Sequence, residues 1–166
     1  SILGAIVDFL EKAGFKVLSY RDIVPDLLAT AGQIAGRKAT KEELEDAEYG
    51  FSICKVLAPL SFGQTVIVNK RSVVAVEAME GTDATLLRAG SLCKGGTVAK
   101  MMRLDQDERY DIPTVGPSTL KHMAQAHLNC LALHAQWTLI MEPEEFKAVA
   151  EKEKIAVIGV ELCRSL

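Results

Sequence analysis

A chain of 166 residues with 49% hydrophobic content is long enough to bury one full core. Its formal net charge of −3 and isoelectric point near 5.7 supply no basic face, so nucleic acid is not expected as a partner. No apolar run approaches the ~20 residues that cross a bilayer, and the chain reads as soluble or peripheral.

Ser1 runs straight into an apolar stretch, with neither a charged leader nor a small-residue cleavage site, so the opening reads as a piece of a longer chain. Ile2, Ile6, Phe9, Leu10 and Ala13 recur at helical spacing and stop at Gly14, predicting a first helix. Residues 15–19 read as a short strand. Residues 25–37 carry Gly32 and Gly36 and read as a linker. Thr40 and Glu43 form a capping box, and Leu44, Ala47, Phe51, Cys54 and Ala58 follow at three- and four-residue steps, which predicts a helix. Residues 64–69 and 72–77 are β-branched runs joined by Asn69-Lys-Arg-Ser72, a hairpin pattern.

Thr82 or Asp83 starts a helix that ends near Gly90, and residues 97–101 read as a strand. A polar loop over residues 104–111 leads to Pro117, which suits the first turn of a helix carrying Leu120, Met123, Ala124 and His127. Residues 130–134 and 138–141 read as strands, Pro143 opens a helix through Phe146 and Ala150, and residues 155–160 supply a last strand. Strands alternating with helices and one hairpin predict an α/β fold, a mixed sheet with flanking helices in two or three layers.

Chemistry concentrates in two polar blocks. Glu77-Ala-Met-Glu-Gly-Thr-Asp83 closes a strand and opens a helix; it either cradles a phosphate on the helix N-terminus or merely caps the helix through Thr82 or Asp83. In Gln106-Asp-Glu-Arg-Tyr-Asp111, an extended backbone would turn Asp107, Arg109 and Asp111 to one side, where they could bind magnesium and an anion; a solvated turn is the alternative. Lys100 is a charged residue in an apolar strand, placed to reach a phosphate or to snorkel. His122 and His127 share no helix face, Gly95-Gly96 matches no nucleotide loop, and Cys54, Cys93, Cys130 and Cys163 form no C-x-x-C pair, so they read as free thiols.

Gly63-Gln64, Ala75-Val-Glu-Ala-Met-Glu-Gly-Thr-Asp-Ala84 with Arg88-Ala-Gly90, Lys100, Gln106-Asp107, Arg109 and Asp111-Ile-Pro-Thr-Val-Gly-Pro117, in that order, resemble the LpxI family over residues 38–160. Members of that family hydrolyse the pyrophosphate bond of UDP-2,3-diacylglucosamine in lipid A synthesis, giving UMP and lipid X. The resemblance implies Asp111 as the essential carboxylate, with Glu80 and Asp83 beside it in catalysis and as ligands, together with Asp111, of Mg2+ or Mn2+. It implies that Gly81, Thr82, Arg88, Lys100, Gln106, Asp107, Arg109, Thr114 and Gly116 hold the phosphates and sugar. Residues 1–37 would be the tail of, or linker from, an upstream Rossmann-like domain, and residues 38–166 the catalytic domain. The implied setting is the cytoplasm, with peripheral contact at the inner membrane, an apolar groove for acyl chains near residues 80–83, and room for a homo-oligomer. The competing reading is a non-catalytic nucleotide-sugar or lipid-binding module that keeps the motif. Asn69-Lys-Arg-Ser72, Thr85 and Asp105 depart from the residues common in the family.

Overall fold

The computed structural model describes residues 2–60, 63–103 and 106–162; Asp105 and Cys163 lie outside them. Helix α1 (Ile2–Lys12) forms where the spacing places it, burying Val7 and leaving Ile2, Ile6 and Phe9 exposed. The strand expected over residues 15–19 is absent. Phe15 and Leu18 are exposed, and Ser19 instead caps the short helix α2 (Tyr20–Ile23), its hydroxyl accepting the Arg21 N–H at 3.2 Å.

Residues 25–37 are not a linker. A 3₁₀ turn (Pro25–Leu27) leads to strand β1 (Gly32–Ala35), which pairs antiparallel with β8 (Ala156–Val160) at the sheet edge. A boundary at residue 38 would cut β1 away from the sheet it completes.

The capping box of α3 (Lys41–Leu57) is made in both directions: Glu43 N–H donates to Thr40 Oγ1 at 3.2 Å and Thr40 N–H to Glu43 Oε2 at 2.8 Å. Ala47, Phe51 and Cys54 are buried as the periodicity requires, whereas Leu44 is exposed. The hairpin of β2 (Thr65–Asn69) and β3 (Ser72–Val76) turns at Lys70 and Arg71, both in the left-handed region that glycine usually fills. The buried Asp46 carboxylate offsets that strain by accepting both turn N–H groups, at 2.9 and 2.6 Å.

The chain continues through α4 (Thr82–Leu92), β4 (Thr97–Lys100), β5 (Thr114–Val115), α5 (Pro117–Gln125), β6 (Cys130–His134), β7 (Leu139–Ile140) and α6 (Pro143–Lys152) before β8. The six-stranded sheet has the order β1-β8-β6-β4-β2-β3, with β4, β6 and β8 parallel and the outer strands antiparallel. The mixed α/β sheet expected from the alternating pattern is thus the architecture. The last predicted strand but one, β7, pairs not with this sheet but with β5 in a two-stranded ladder. His127, grouped with the apolar face of α5, is exposed in the left-handed position that ends the helix.

Side chains alternate across the sheet. Ile67, Val98, Leu131, Leu133 and Val157 pack with Leu86, Leu120, Met123 and Phe146 of α4, α5 and α6. Val66, Val68, Ala99, Ala132 and Ile158 pack on the other face with Phe51 and Cys54 of α3. The result is three layers, one helix on one face and three on the other. α4 and α5 approach closely through Gly90, where a Cβ would stand 2.6 Å from Ala126 Cα.

Cys54 and Cys130 are buried, and burial pushes both thiols up to about 12. At pH 8 the folded protein should therefore leave both unmodified by iodoacetamide, while unfolding in urea exposes them; peptide mass mapping reads this directly. Carbamidomethylation of either in the folded chain would contradict the packing.

Candidate functional site

Lys100 ends β4 on the face that carries α4, α5 and α6, at the carboxyl end of the parallel strands, where open α/β sheets present ligand sites. It is 4% exposed, and its Nζ donates to Thr82 Oγ1 at 3.0 Å. Burial pushes the amine below the usual lysine range, opposed by the nearby Glu77 and Asp83 carboxylates.

Above it opens a cavity of about 820 Å³ whose wall includes Glu80, Gly81, Thr82, Asp83, Thr114 and Gly116. Three helices begin there. Residues 81–83 start α4, residues 116–119 start α5, and Met141, Glu142 and Glu145 stand at the start of α6. The N-cap residues Gly81 and Gly116 bring no side-chain acceptor, so early N–H groups of α4 and α5 remain available to a ligand. Thr82, expected as a possible cap, is the first helical residue; Gly81 precedes it at φ +81, a conformation that a Cβ would strain. At α5, Thr119 Oγ1 accepts the Gly116 N–H at 3.3 Å, which fixes the entry of the chain into the helix.

The remaining residues of the two blocks brace the site from outside the cavity wall. Arg88 Nη2 donates to Glu80 Oε1 at 2.5 Å and to Val76 O at 3.0 Å, tying the loop after β3 to α4 and holding the Glu80 carboxyl below its usual range. Of the two readings of residues 107–111, extended run or turn, the turn is formed, closed by Asp111 N–H donating to Asp107 O at 2.8 Å. Asp107 accepts the Arg109 backbone N–H at 2.9 Å and binds its guanidinium at 2.7 Å, so the pair neutralises itself; Arg109 also reaches Glu11 of α1 at 2.8 Å. Gln106 is buried, accepting Arg103 N–H at 2.7 Å and donating to Asp111 Oδ1 at 3.0 Å, with Arg103 Nη2 3.4 Å from Asp111 Oδ2. Asp111 is thus held firmly, three residues before the cavity wall resumes at Thr114.

Magnesium takes one or two carboxylates together with substrate phosphates, and Glu80 and Asp83 on the wall fit that requirement. Asp111 does not complete a three-carboxylate set with them: among the described residues no three His, Cys, Asp or Glu side chains converge. Asp83 instead stands 3.2 Å from His122 Nδ1.

A match to the LpxI C-terminal domain spans residues 30–158. The chain belongs to the LpxI family. It is 28% identical to the UDP-2,3-diacylglucosamine pyrophosphatase LpxI of Caulobacter vibrioides, in an alignment covering 97% of this chain and 61% of that relative. The chain therefore spans about three fifths of the LpxI relative it matches. The family match begins at residue 30 and takes in β1, in agreement with the sheet.

The sequence had flagged Glu80, Gly81, Thr82, Asp83, Lys100, Thr114 and Gly116, all of which meet at the cavity. Arg88, Gln106, Asp107, Arg109 and Asp111 do not line it. Lys121, Glu142 and Glu145 were missed, although Pro143 marks a helix start as Pro117 does and could have drawn attention to residues 141–145. The apolar groove expected near residues 80–83 is mostly polar, with Val115, Pro117 and Met141 its apolar wall.

Proposed function

We propose that the chain carries the diphosphate-binding and hydrolytic centre of a UDP-2,3-diacylglucosamine pyrophosphatase, residues 38–166 together with β1 forming the catalytic domain. One observation carries the reading: two helix starts without side-chain caps and the buried Lys100 meet in one cavity of about 820 Å³. Helix N–H groups and a buried ammonium are complementary to the phosphoryl oxygens of a diphosphate, whose charge is spread over both phosphorus atoms.

In this reading the N–H groups at residues 82–83 and at Ser118 bind the phosphates, and Lys100 donates to the oxygens between them. The resemblance to the LpxI family assigns the proton of the attacking water to Asp111, which Gln106 and Arg103 hold outside the cavity wall. Water forms the new P–O bond at the β-phosphorus, the anhydride P–O bond breaks, and UMP leaves with the electron pair, so the water oxygen ends in lipid X. Magnesium or manganese at Asp83 and Glu80 would supply charge neutralisation on the phosphates. The proposed setting is the cytoplasmic side of the inner membrane, with peripheral contact and room for a homo-oligomer; no helix among the described residues is long and apolar enough to cross a membrane.

The test is release of UMP from UDP-2,3-diacylglucosamine in magnesium chloride, abolished by chelation, with oxygen-18 from water recovered in lipid X. Binding of UDP without any release of UMP would assign the chain to the binding-module reading instead.

A further inference from the structure

Glu77 does not line the cavity, yet it is a charged side chain only 7% exposed. It follows β3 directly, and its backbone N–H extends the hairpin ladder by donating to Thr65 O at 2.9 Å. Its two oxygens are both acceptors in use: Oε1 takes the Thr82 hydroxyl at 2.9 Å and Oε2 takes the Gln64 N–H at 3.3 Å. Thr82 Oγ1 also accepts from Lys100 Nζ at 3.0 Å.

The direction of this chain is set by chemistry. An ammonium only donates and a carboxylate only accepts, so the Thr82 hydroxyl must give its hydrogen to Glu77 and turn a lone pair to Lys100. One of the three Lys100 N–H groups is spent on Thr82, and the ammonium is held at the end of β4 where the cavity opens. The charged groups acting on Lys100 are Glu77 and Asp83, while Glu80, Lys121, Glu142 and Glu145 line the same cavity.

We infer that Glu77 is a positioning residue of the phosphate site: through the Thr82 hydroxyl it fixes the Lys100 ammonium toward the diphosphate of the substrate. The inference rests on the reading of the cavity as a phosphate site. It predicts a specific failure of glutamine at this position. Glutamine offers one acceptor where Glu77 supplies two, so it must either turn its amide toward the Gln64 N–H or donate to Thr82 and displace the hydroxyl hydrogen toward Lys100. Either way a hydrogen bond that holds the ammonium is lost or a buried donor is left unpaired.

The experiment measures binding of inorganic pyrophosphate to the chain by titration calorimetry. Glu77→Gln should weaken binding about tenfold, the effect of losing one hydrogen bond to a charged group. Thr82→Val should do the same, and Thr82→Ser, which keeps the hydroxyl, should bind about fivefold more tightly than Thr82→Val. In a Lys100→Met background, Glu77→Gln should change the affinity by less than about twofold, because its effect passes through Lys100. Native affinity in Glu77→Gln, or the same tenfold loss with and without Lys100, overturns the positioning role. Undiminished binding in Lys100→Met, or no binding by the native chain, overturns the phosphate-site reading itself and the inference with it.

Discussion

Substitution of Lys100 by Met is expected to lower kcat/KM for UDP-2,3-diacylglucosamine by about 10²–10³-fold, the loss seen when a preorganised donor to developing negative charge is removed. The lysine is 4% exposed at the carboxyl end of a parallel strand, so no other side chain can slide into its place and solvent cannot substitute for it. Methionine matches its length without its charge. The same change leaves Glu77 buried without its countercharge, which lowers folding stability by as much as about 3 kcal/mol. Activity and stability are separated by the double variant Lys100→Met, Glu77→Gln, which removes the uncompensated charge. It should unfold at higher urea than Lys100→Met alone and remain equally inactive. Turnover close to native in Lys100→Met would remove the lysine from the chemistry and return it to a snorkelling role.

The expected effect depends on how the amine is kept charged. Burial favours the neutral form, and the Glu77 and Asp83 carboxylates oppose it. Glu80, the other candidate metal ligand on the wall, is braced by Arg88, Thr85 and the Ala78 N–H. The Thr85 hydroxyl donates to Gly81 O at 2.8 Å with Glu80 Oε1 at 3.2 Å, so it braces the start of α4 and does not form the cavity wall.

Local signals were legible in the sequence and distant pairings were not. The capping box at Thr40 and Glu43, the hairpin around residues 69–72 and the helix opening at Pro117 each depend on contacts within a few residues, and each formed as read. β1 reads as a linker in the sequence because its four residues carry glycine at one end and precede another, and its partner, β8, is more than a hundred positions away. β5 and β7 are two-residue strands that pair with each other, and Leu139 of β7 also bridges to Leu28, all contacts distant in sequence. In the site, Thr82 or Asp83 and Pro117 announced helix starts, but nothing local revealed that both would open on one cavity with Lys100. The alternation of Asp107, Arg109 and Asp111 left an extended run and a turn both open for a related reason: Asp107 can bond the backbone two residues on, and that turn outcompetes the extended form. Glu77 stood in a block already singled out, but burial, which marks it, has no sequence signature there.

Asp111→Asn should reduce turnover by about 10²–10⁴-fold, the range for loss of a positioned general base, while UDP binding stays within about threefold of native. The amide keeps the shape of the carboxylate and one oxygen for Gln106 Nε2, so the loop retains its principal hydrogen bond. What is lost is the capacity to accept a proton, together with the contact to Arg103 at 3.4 Å, which is part-exposed and contributes well under about 1 kcal/mol to stability. Binding should survive because the phosphate donors are Lys100 and the starts of α4 and α5, none of which Asp111 touches. Gln106→Ala leaves the carboxylate in place but removes the donor that orients it, and should cost less, about tenfold in kcat. The order of the two effects is the informative part. If Asp111→Asn turned over normally while Asp83→Asn did not, the proton acceptor would be the carboxylate on the cavity wall beside His122, and the loop at residues 106–111 would be left with a structural task, holding Glu11 of α1 through Arg109.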